Sequence, residues 1–169
     1  MTRVVVTGVG AVSPLGIGID ALWTGLTEGR SGIAPIQNFD ASDLDVKIAG
    51  EVNDFVPRDF MDFKAAKRMD RFAQFAVAAT REALDMADFA ITEDNSERVG
   101  VMMNTGGGGF PTIEREVLVK TNGGPKRVSP FLIPMFAPNM ASCQVSMQFG
   151  IHGPTDVAVG PWMPNCMLT

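Results

Sequence analysis

The chain has 169 residues, of which 46% are hydrophobic and 20% charged, as in a globular domain. Its formal net charge of -5 argues against bulk attraction to nucleic acid. No apolar run is long enough to span a membrane, the N-terminus has no signal-peptide pattern, and two cysteines and one histidine are too few for a disulfide framework or a zinc site. We therefore expect a cytoplasmic protein with no membrane span, no nucleic acid partner and no metal.

The first third of the chain predicts a strand, a loop and a short helix. Residues 3–8 form a β-branched run that ends in glycine, which is typical of a strand buried on both faces of a parallel sheet. A loop over residues 10–18 leads to a helix over residues 21–28, with Asp20 as its N-cap and Gly29 as its C-cap. A further strand is predicted at residues 47–52.

The clearest helical pattern runs over residues 64–87. Its apolar positions, among them Phe72, Val77 and Leu84, fill an arc wider than that of an ordinary surface helix. Asp70, Gln74 and other polar residues fill the opposite side. We expect this helix to be covered on most of its circumference.

The rest of the chain alternates strands and helices. Strands are predicted at residues 98–103 and 155–159, and helices at residues 113–120 and 135–149. This order predicts an α/β fold. The sequence contains no internal repeat and no linker that divides it into two domains.

Two glycine motifs have a structural and a functional interpretation. Gly8-Val9-Gly10 departs from the dinucleotide-binding fingerprint, because Ser13 occupies its sixth position and a proline follows. The run from Gly106 to Gly109 lacks the Gly-Lys-Ser/Thr of a phosphate-binding loop. Glycines after a strand usually indicate close backbone approach or positive φ, so the structural interpretation is favoured for both motifs and no cofactor is expected.

Two short basic groups stand out on this acidic chain. Such groups are usually solvated faces, but a local cationic patch can also steer an acidic partner. Both interpretations remain open from the residues alone. The two groups are Lys64, Lys67 and Arg68, followed by Lys126 and Arg127.

Five segments, taken in order, resemble the β-ketoacyl-acyl carrier protein synthase II family, the elongating condensing enzymes of fatty acid synthesis. The resemblance covers residues 1–159 almost without gaps. The segments are RVVVTGVGAVSPLG at 3–16, FDASDLDVKIAGEV at 39–52, KRMDRFAQFAVAATREAL at 67–84, GGPKRVSPFLIP at 123–134 and NMASCQVSMQFGIHGPTDVAV at 139–159.

The resemblance implies the N-terminal part of a thiolase-like fold, with an incomplete first half, a parallel-rich mixed sheet and covering helices. The implied activity is that of an acyltransferase that condenses an acyl thioester with malonyl-acyl carrier protein and releases carbon dioxide. It uses no cofactor. The implied partners are acyl carrier protein and, in the full-length form, a second copy of the chain.

The resemblance also implies site residues. The basic side chains Lys64, Lys67, Arg68, Lys126 and Arg127 match positions that present positive charge to the carrier protein. The glycines Gly106, Gly107, Gly108 and Gly109 match a segment beside the acyl pocket and the dimer interface, and Phe131 lies in the segment that borders the acyl channel.

The last ten residues depart from the family pattern. After Val159 the resemblance implies a nucleophilic cysteine in Thr-Ala-Cys, at the start of a helix whose N-terminus lowers the thiol pKa. Here Gly160-Pro161 precede Trp162, which occupies the nucleophile position, and Cys166, four residues later, is only a weak candidate for the nucleophile. We therefore expect a partial synthase domain over residues 1–159 and a divergent tail over 160–169, from a frameshift or truncation, with no catalytic residue in place. The alternative is a non-catalytic fragment that binds carrier protein or another subunit.

Overall fold

A computed structural model describes residues 3–159 of the chain, with side chains up to residue 157. The described residues divide into two compact units. The first comprises residues 3–56 and 78–89, and the second comprises residues 57–77 and 90–159. No helix in these residues is long and apolar enough to cross a membrane.

The first unit contains two small antiparallel hairpins and a helix. Strand β1 (Val12–Ser13) pairs with β2 (Gly16–Ile17), and helix α1 (Ile19–Thr27) follows directly. Strand β3 (Ala34–Pro35) pairs with β4 (Ile48–Ala49). Of the strand predicted at residues 47–52, only these two residues of β4 are observed in a strand. The predicted helix at 21–28 is confirmed, but its N-cap is Gly18, and Asp20 lies within the first turn.

The strand predicted at residues 3–8 is wrong. This segment has no regular structure, and Val4 and Val6 are 92% and 83% exposed. A strand requires a neighbour that completes its hydrogen bonds, and no strand within residues 3–159 pairs with this segment.

The predicted helix at 64–87 is two helices. Helix α2 (Phe63–Ala66) ends before helix α3 (Arg71–Met86) begins. The Gln74 side-chain amide donates to the carbonyl oxygens of Ala66 at 2.9 Å and Met69 at 3.2 Å. These bonds satisfy backbone acceptors at the break and hold Gln74 in a buried position, on the side of the helix predicted to be polar.

Residues 78–86 of α3 contact the N-terminal segment of the first unit through hydrogen bonds and close backbone packing. The Glu82 carboxylate accepts hydrogen bonds from the backbone N–H of Ala11 at 2.8 Å and of Ile19 at 2.6 Å. Gly10 lies so close to the helix that a Cβ there would be 2.0 Å from the Ala79 carbonyl oxygen. Close backbone packing thus accounts for this glycine, in agreement with the structural interpretation of its motif.

The second unit has α/β order around a parallel strand pair. Strand β5 (Val101–Thr105) leads to helices α4 (Phe110–Gly123), α5 (Leu132–Phe136) and α6 (Met140–Phe149), and strand β6 (Thr155–Val159) follows. β5 and β6 run parallel, and their register aligns Val101 with Thr155 and Thr105 with Val159. The strand predicted at 155–159 is confirmed. The helix predicted at 135–149 is divided by Ala137-Pro138, since proline cannot donate a backbone hydrogen bond within a helix.

The strand pair is tied to α6 by one buried hydroxyl. Ser142, fully buried, donates to the carbonyl oxygen of Asp156 at 2.6 Å and accepts from the backbone N–H of Met103 at 3.1 Å. Val145 of the same helix is 1% exposed. A polar contact to each strand and the burial of Val145 beside it therefore hold α6 against β5 and β6.

Candidate functional site

The predicted glycine-rich loop lies at the carboxyl end of β5. Thr105 is aligned with Val159, the last described residue, so the loop at 106–109 begins beside the point where the chain leaves β6. The Thr105 hydroxyl oxygen accepts hydrogen bonds from the N–H groups of Gly107 at 3.3 Å and Gly108 at 3.0 Å. Trp162 and Cys166 lie outside the described residues.

Two of the four glycines, Gly108 and Gly109, are required by fixed neighbours, and Gly107 lies against the exposed ring of Phe110. A Cβ at Gly107 would be 2.3 Å from the Phe110 ring, and one at Gly109 would be 2.7 Å from a carboxylate oxygen of Asp70. Gly108 has a φ of 84° and lies against the Phe136 carbonyl oxygen. A Cβ at Gly106 would have no atom of the described residues within 4 Å apart from its chain neighbours. Among the described residues, nothing packs against the position of a Gly106 side chain.

A buried carboxylate supports this loop from the side of α4. Asp70 is 6% exposed and accepts hydrogen bonds from both the backbone N–H and the hydroxyl of Thr112. The prediction placed Asp70 on the polar side of a continuous helix and missed this role. Periodicity contains no signal for it, because Thr112 is 42 residues away along the chain.

Two residues predicted for different functions are in contact. The Arg68 guanidinium carbon lies 4.9 Å from the centroid of the Phe131 ring, a cation–π distance. Arg68 was predicted to bind the carrier protein and Phe131 to border the acyl channel. The structure therefore joins one end of the first basic group to the segment predicted to line the pocket.

Lys67 contacts a different aromatic ring, that of Phe63. Its ammonium nitrogen lies 4.3 Å from the centroid of Phe63, and the guanidinium carbon of Arg58 lies 4.2 Å from the same centroid. Sequence reasoning missed Arg58. The available signal was its place six residues before Lys64, in a segment that contains several other basic side chains.

The remaining predicted cations are exposed but separate. Lys126 and Arg127 lie in a short turn after α4, and the Arg127 side chain packs over Gly123. No described contact within residues 3–159 joins Lys64, Lys126 or Arg127 to another predicted site residue. None of the five predicted cations forms an ion pair in this part of the chain, whereas Arg30 and Arg115 do.

An apolar groove of about 230 Å³ lies between α4 and α5. Glu116 lies at this groove, and its carboxylate accepts hydrogen bonds from the Ser129 N–H at 2.8 Å and from Arg115 at 3.3 Å. The Ser129 bond, with a smaller contribution from Arg115, holds the pKa of Glu116 below its ordinary value although burial opposes this. Glu116 thereby fixes the segment that leads to Phe131. The apolar lining includes Ile113, Val117, Leu132, Ile133 and Phe136.

Residues 1–159 match the family described as beta-ketoacyl synthase, N-terminal domain. The chain belongs to the β-ketoacyl synthase family. Among curated relatives, it is 46% identical over 157 residues to 3-oxoacyl-[acyl-carrier-protein] synthase 2 of Synechocystis sp., an alignment that covers 93% of this chain and 38% of the relative. The protein of the same name from Coxiella burnetii is 43% identical, with 90% of this chain and 37% of the relative covered.

Solved structures agree with this membership. The ishigamide ketosynthase/chain length factor superposes with a TM-score of 0.81 at 30% identity, covering 92% of this chain and 39% of that one. A β-ketoacyl synthase from Burkholderia phymatum superposes with a TM-score of 0.74 at 24% identity, covering 95% and 39%. The predicted thiolase-like α/β fold is thus confirmed for this synthase domain. The chain spans less than two fifths of the length of these relatives.

Proposed function

We propose that this synthase domain belongs to a condensing enzyme that elongates acyl chains. The observation that carries the proposal is the 46% identity over 93% of the chain to a protein named 3-oxoacyl-[acyl-carrier-protein] synthase 2. In the proposed reaction an enzyme thiol takes the acyl group from a carrier thioester. Malonyl-acyl carrier protein then loses carbon dioxide, and the resulting carbanion attacks the acyl carbonyl carbon and expels the thiolate.

The described residues would contribute binding and positioning to this reaction. The exposed cations Lys64, Lys67, Arg68, Lys126 and Arg127 would attract acidic carrier protein, since no carboxylate within residues 3–159 pairs with them. The open position at Gly106 and the ring of Phe131 would border the acyl chain. We also propose a homodimer in the full-length form, with the segment around Phe131 at its interface.

A second candidate function is non-catalytic binding of carrier protein or of a synthase subunit. One observation favours it: Trp162 occupies the position where the family pattern requires the cysteine. Indole carries no nucleophile of the required kind, whereas the five predicted basic side chains are present in this chain. The tail at 160–169 remains a proposed divergent segment, and reading the coding DNA past codon 159 in all three frames tests for a displaced Thr-Ala-Cys.

The two functions are separated by intact-mass measurement after incubation with acyl-acyl carrier protein. The chain as written is compared with a variant that carries Gly160→Thr, Pro161→Ala and Trp162→Cys. The condensing-enzyme proposal expects an acyl adduct on the variant and none on the original chain. If both chains bind carrier protein and neither is acylated, the binding function is supported. If neither chain binds, both proposals are wrong.

A further inference from the structure

The ring of Phe63 holds two cations at once. The guanidinium carbon of Arg58 and the ammonium nitrogen of Lys67 lie 4.2 and 4.3 Å from its centroid. Arg58 belongs to the turn Pro57–Asp59, and Phe63 is the first residue of α2. The two charges therefore lie within roughly 9 Å of each other on a surface where all three side chains are exposed.

The nearby carboxylates leave this pair of charges uncompensated. Asp62 uses its carboxylate as the N-cap of α2, accepting from the backbone N–H of Lys64 at 2.8 Å and of Ala65 at 3.3 Å. Neither Arg58 nor Lys67 forms an ion pair among the residues that the structure describes. Two like charges on one ring repel each other, and an anionic partner would relieve this repulsion.

We propose that Arg58, supported by Phe63, is a further docking residue for the acidic carrier protein, beside Lys67. This inference rests on the carrier-binding part of the proposed function. Two cations less than roughly 9 Å apart can reach two carboxylates on one partner surface, and residues one turn apart on a helix, with Cβ atoms roughly 5–6 Å from each other, provide such a pair. The partner surface it predicts is therefore a helix with acidic residues at positions i and i+3 or i+4.

Phe63 contributes to binding without carrying charge. Arginine and lysine side chains lose rotamer freedom when they engage a partner, which weakens binding. Stacking on the ring restricts both side chains before the partner arrives. Arg58 and Phe63 should therefore affect binding differently: Arg58 through charge, which salt screens, and Phe63 through preorganisation, which salt leaves unchanged.

The test is a calorimetric titration of the 169-residue chain with acyl carrier protein at several salt concentrations. Arg58→Ala should weaken binding roughly two- to fivefold and reduce the salt dependence. Arg58→Glu should weaken it further. Phe63→Leu should weaken binding roughly twofold while the salt dependence stays that of the unaltered chain. Circular dichroism checks that each variant is folded.

Two further variants make the outcomes decisive. Arg30→Ala is the matched control, because Arg30 is an exposed arginine already paired with Glu28 at 2.9 Å, and its loss should leave binding unchanged. Lys67→Ala reports on the predicted docking surface itself. If Lys67→Ala weakens binding and Arg58→Ala and Arg58→Glu do not, the inference is wrong and the proposed function stands. If the unaltered chain does not bind carrier protein, both are wrong.

Discussion

The Asp70 carboxylate and Thr112 form a buried polar pair that connects the start of α3 to the start of α4. Thr112 donates both its hydroxyl and its backbone N–H, the latter at 3.1 Å, to one carboxylate oxygen. Thr112 is 1% exposed, so water does not replace either bond when one is lost. The same oxygen lies against Gly109, which places this pair directly behind the glycine-rich loop.

Removing the Thr112 hydroxyl should destabilise the chain. Thr112→Val keeps the shape of the side chain but leaves a buried carboxylate with one donor fewer, at an expected cost of about 1–3 kcal/mol in the free energy of unfolding. Urea denaturation followed by circular dichroism measures the change. Thr121→Val, at an exposed position of the same helix, is the control and should stay within about 0.5 kcal/mol. Equal effects of the two variants would contradict a structural role for the pair.

Two glycines of the same loop, Gly106 and Gly109, should differ in how strongly an added methyl group destabilises the chain. At Gly109 the new Cβ would be 2.7 Å from Asp70 and 2.8 Å from the Met135 carbonyl oxygen, so Gly109→Ala should cost about 1–3 kcal/mol. At Gly106 the new Cβ would have no atom of the described residues within 4 Å apart from its chain neighbours, and Gly106→Ala should change stability by less than about 1 kcal/mol. Thermal unfolding of both variants measures the difference, and a Gly106 variant as unstable as the Gly109 variant would show that open space does not surround Gly106.

Local pattern predicted the two strands of the second unit but not the first-unit hairpin β1–β2, which lies in the stretch predicted as a loop over residues 10–18. Residues 98–103 and 155–159 were both predicted as strands, and β5 and β6 pair with each other over five residues. Residues 3–8 have an equally strong β-branched pattern, yet no strand forms there. A β-branched pattern indicates that a segment can adopt strand conformation. A strand forms only when a neighbouring strand also completes its backbone hydrogen bonds.

The site was predictable only where it followed from family resemblance or from contacts near in sequence. Arg58, Phe63 and Lys67 lie within ten residues, so their cluster was open to sequence reasoning that considered rings as well as charges. The contact of Arg68 with Phe131 and that of Asp70 with Thr112 join distant parts of the chain. Helical periodicity describes one element at a time, and for that reason it could assign Asp70 only to a polar side.

The carboxylate of Glu116 should make stability depend on pH. Its pKa is lowered in the folded chain, chiefly by the Ser129 N–H. A group of this kind stabilises the fold above its unfolded pKa, and the stabilisation disappears as the pH falls through the lower folded pKa. We expect the urea midpoint to fall between about pH 5 and pH 3, and Glu116→Gln to reduce this fall. Glu114→Gln, exposed in the same helix, is the matched control, and an identical pH profile for both variants would contradict the prediction.

The 169-residue chain should self-associate in isolation. Ile133 at the groove is 64% exposed, Val117 is 54% exposed, and each strand of the β5–β6 pair has only one partner among the described residues. Exposed apolar side chains and unpaired strand edges both favour association. Sedimentation velocity over a range of concentrations should show species larger than a monomer, and Val117→Lys with Ile133→Lys should reduce them. Thr121→Lys adds the same charge at an exposed polar position of α4 and should have little effect. A monodisperse, cooperatively unfolding monomer would contradict this prediction, because it would mean that these apolar side chains and open strand edges are tolerated in water.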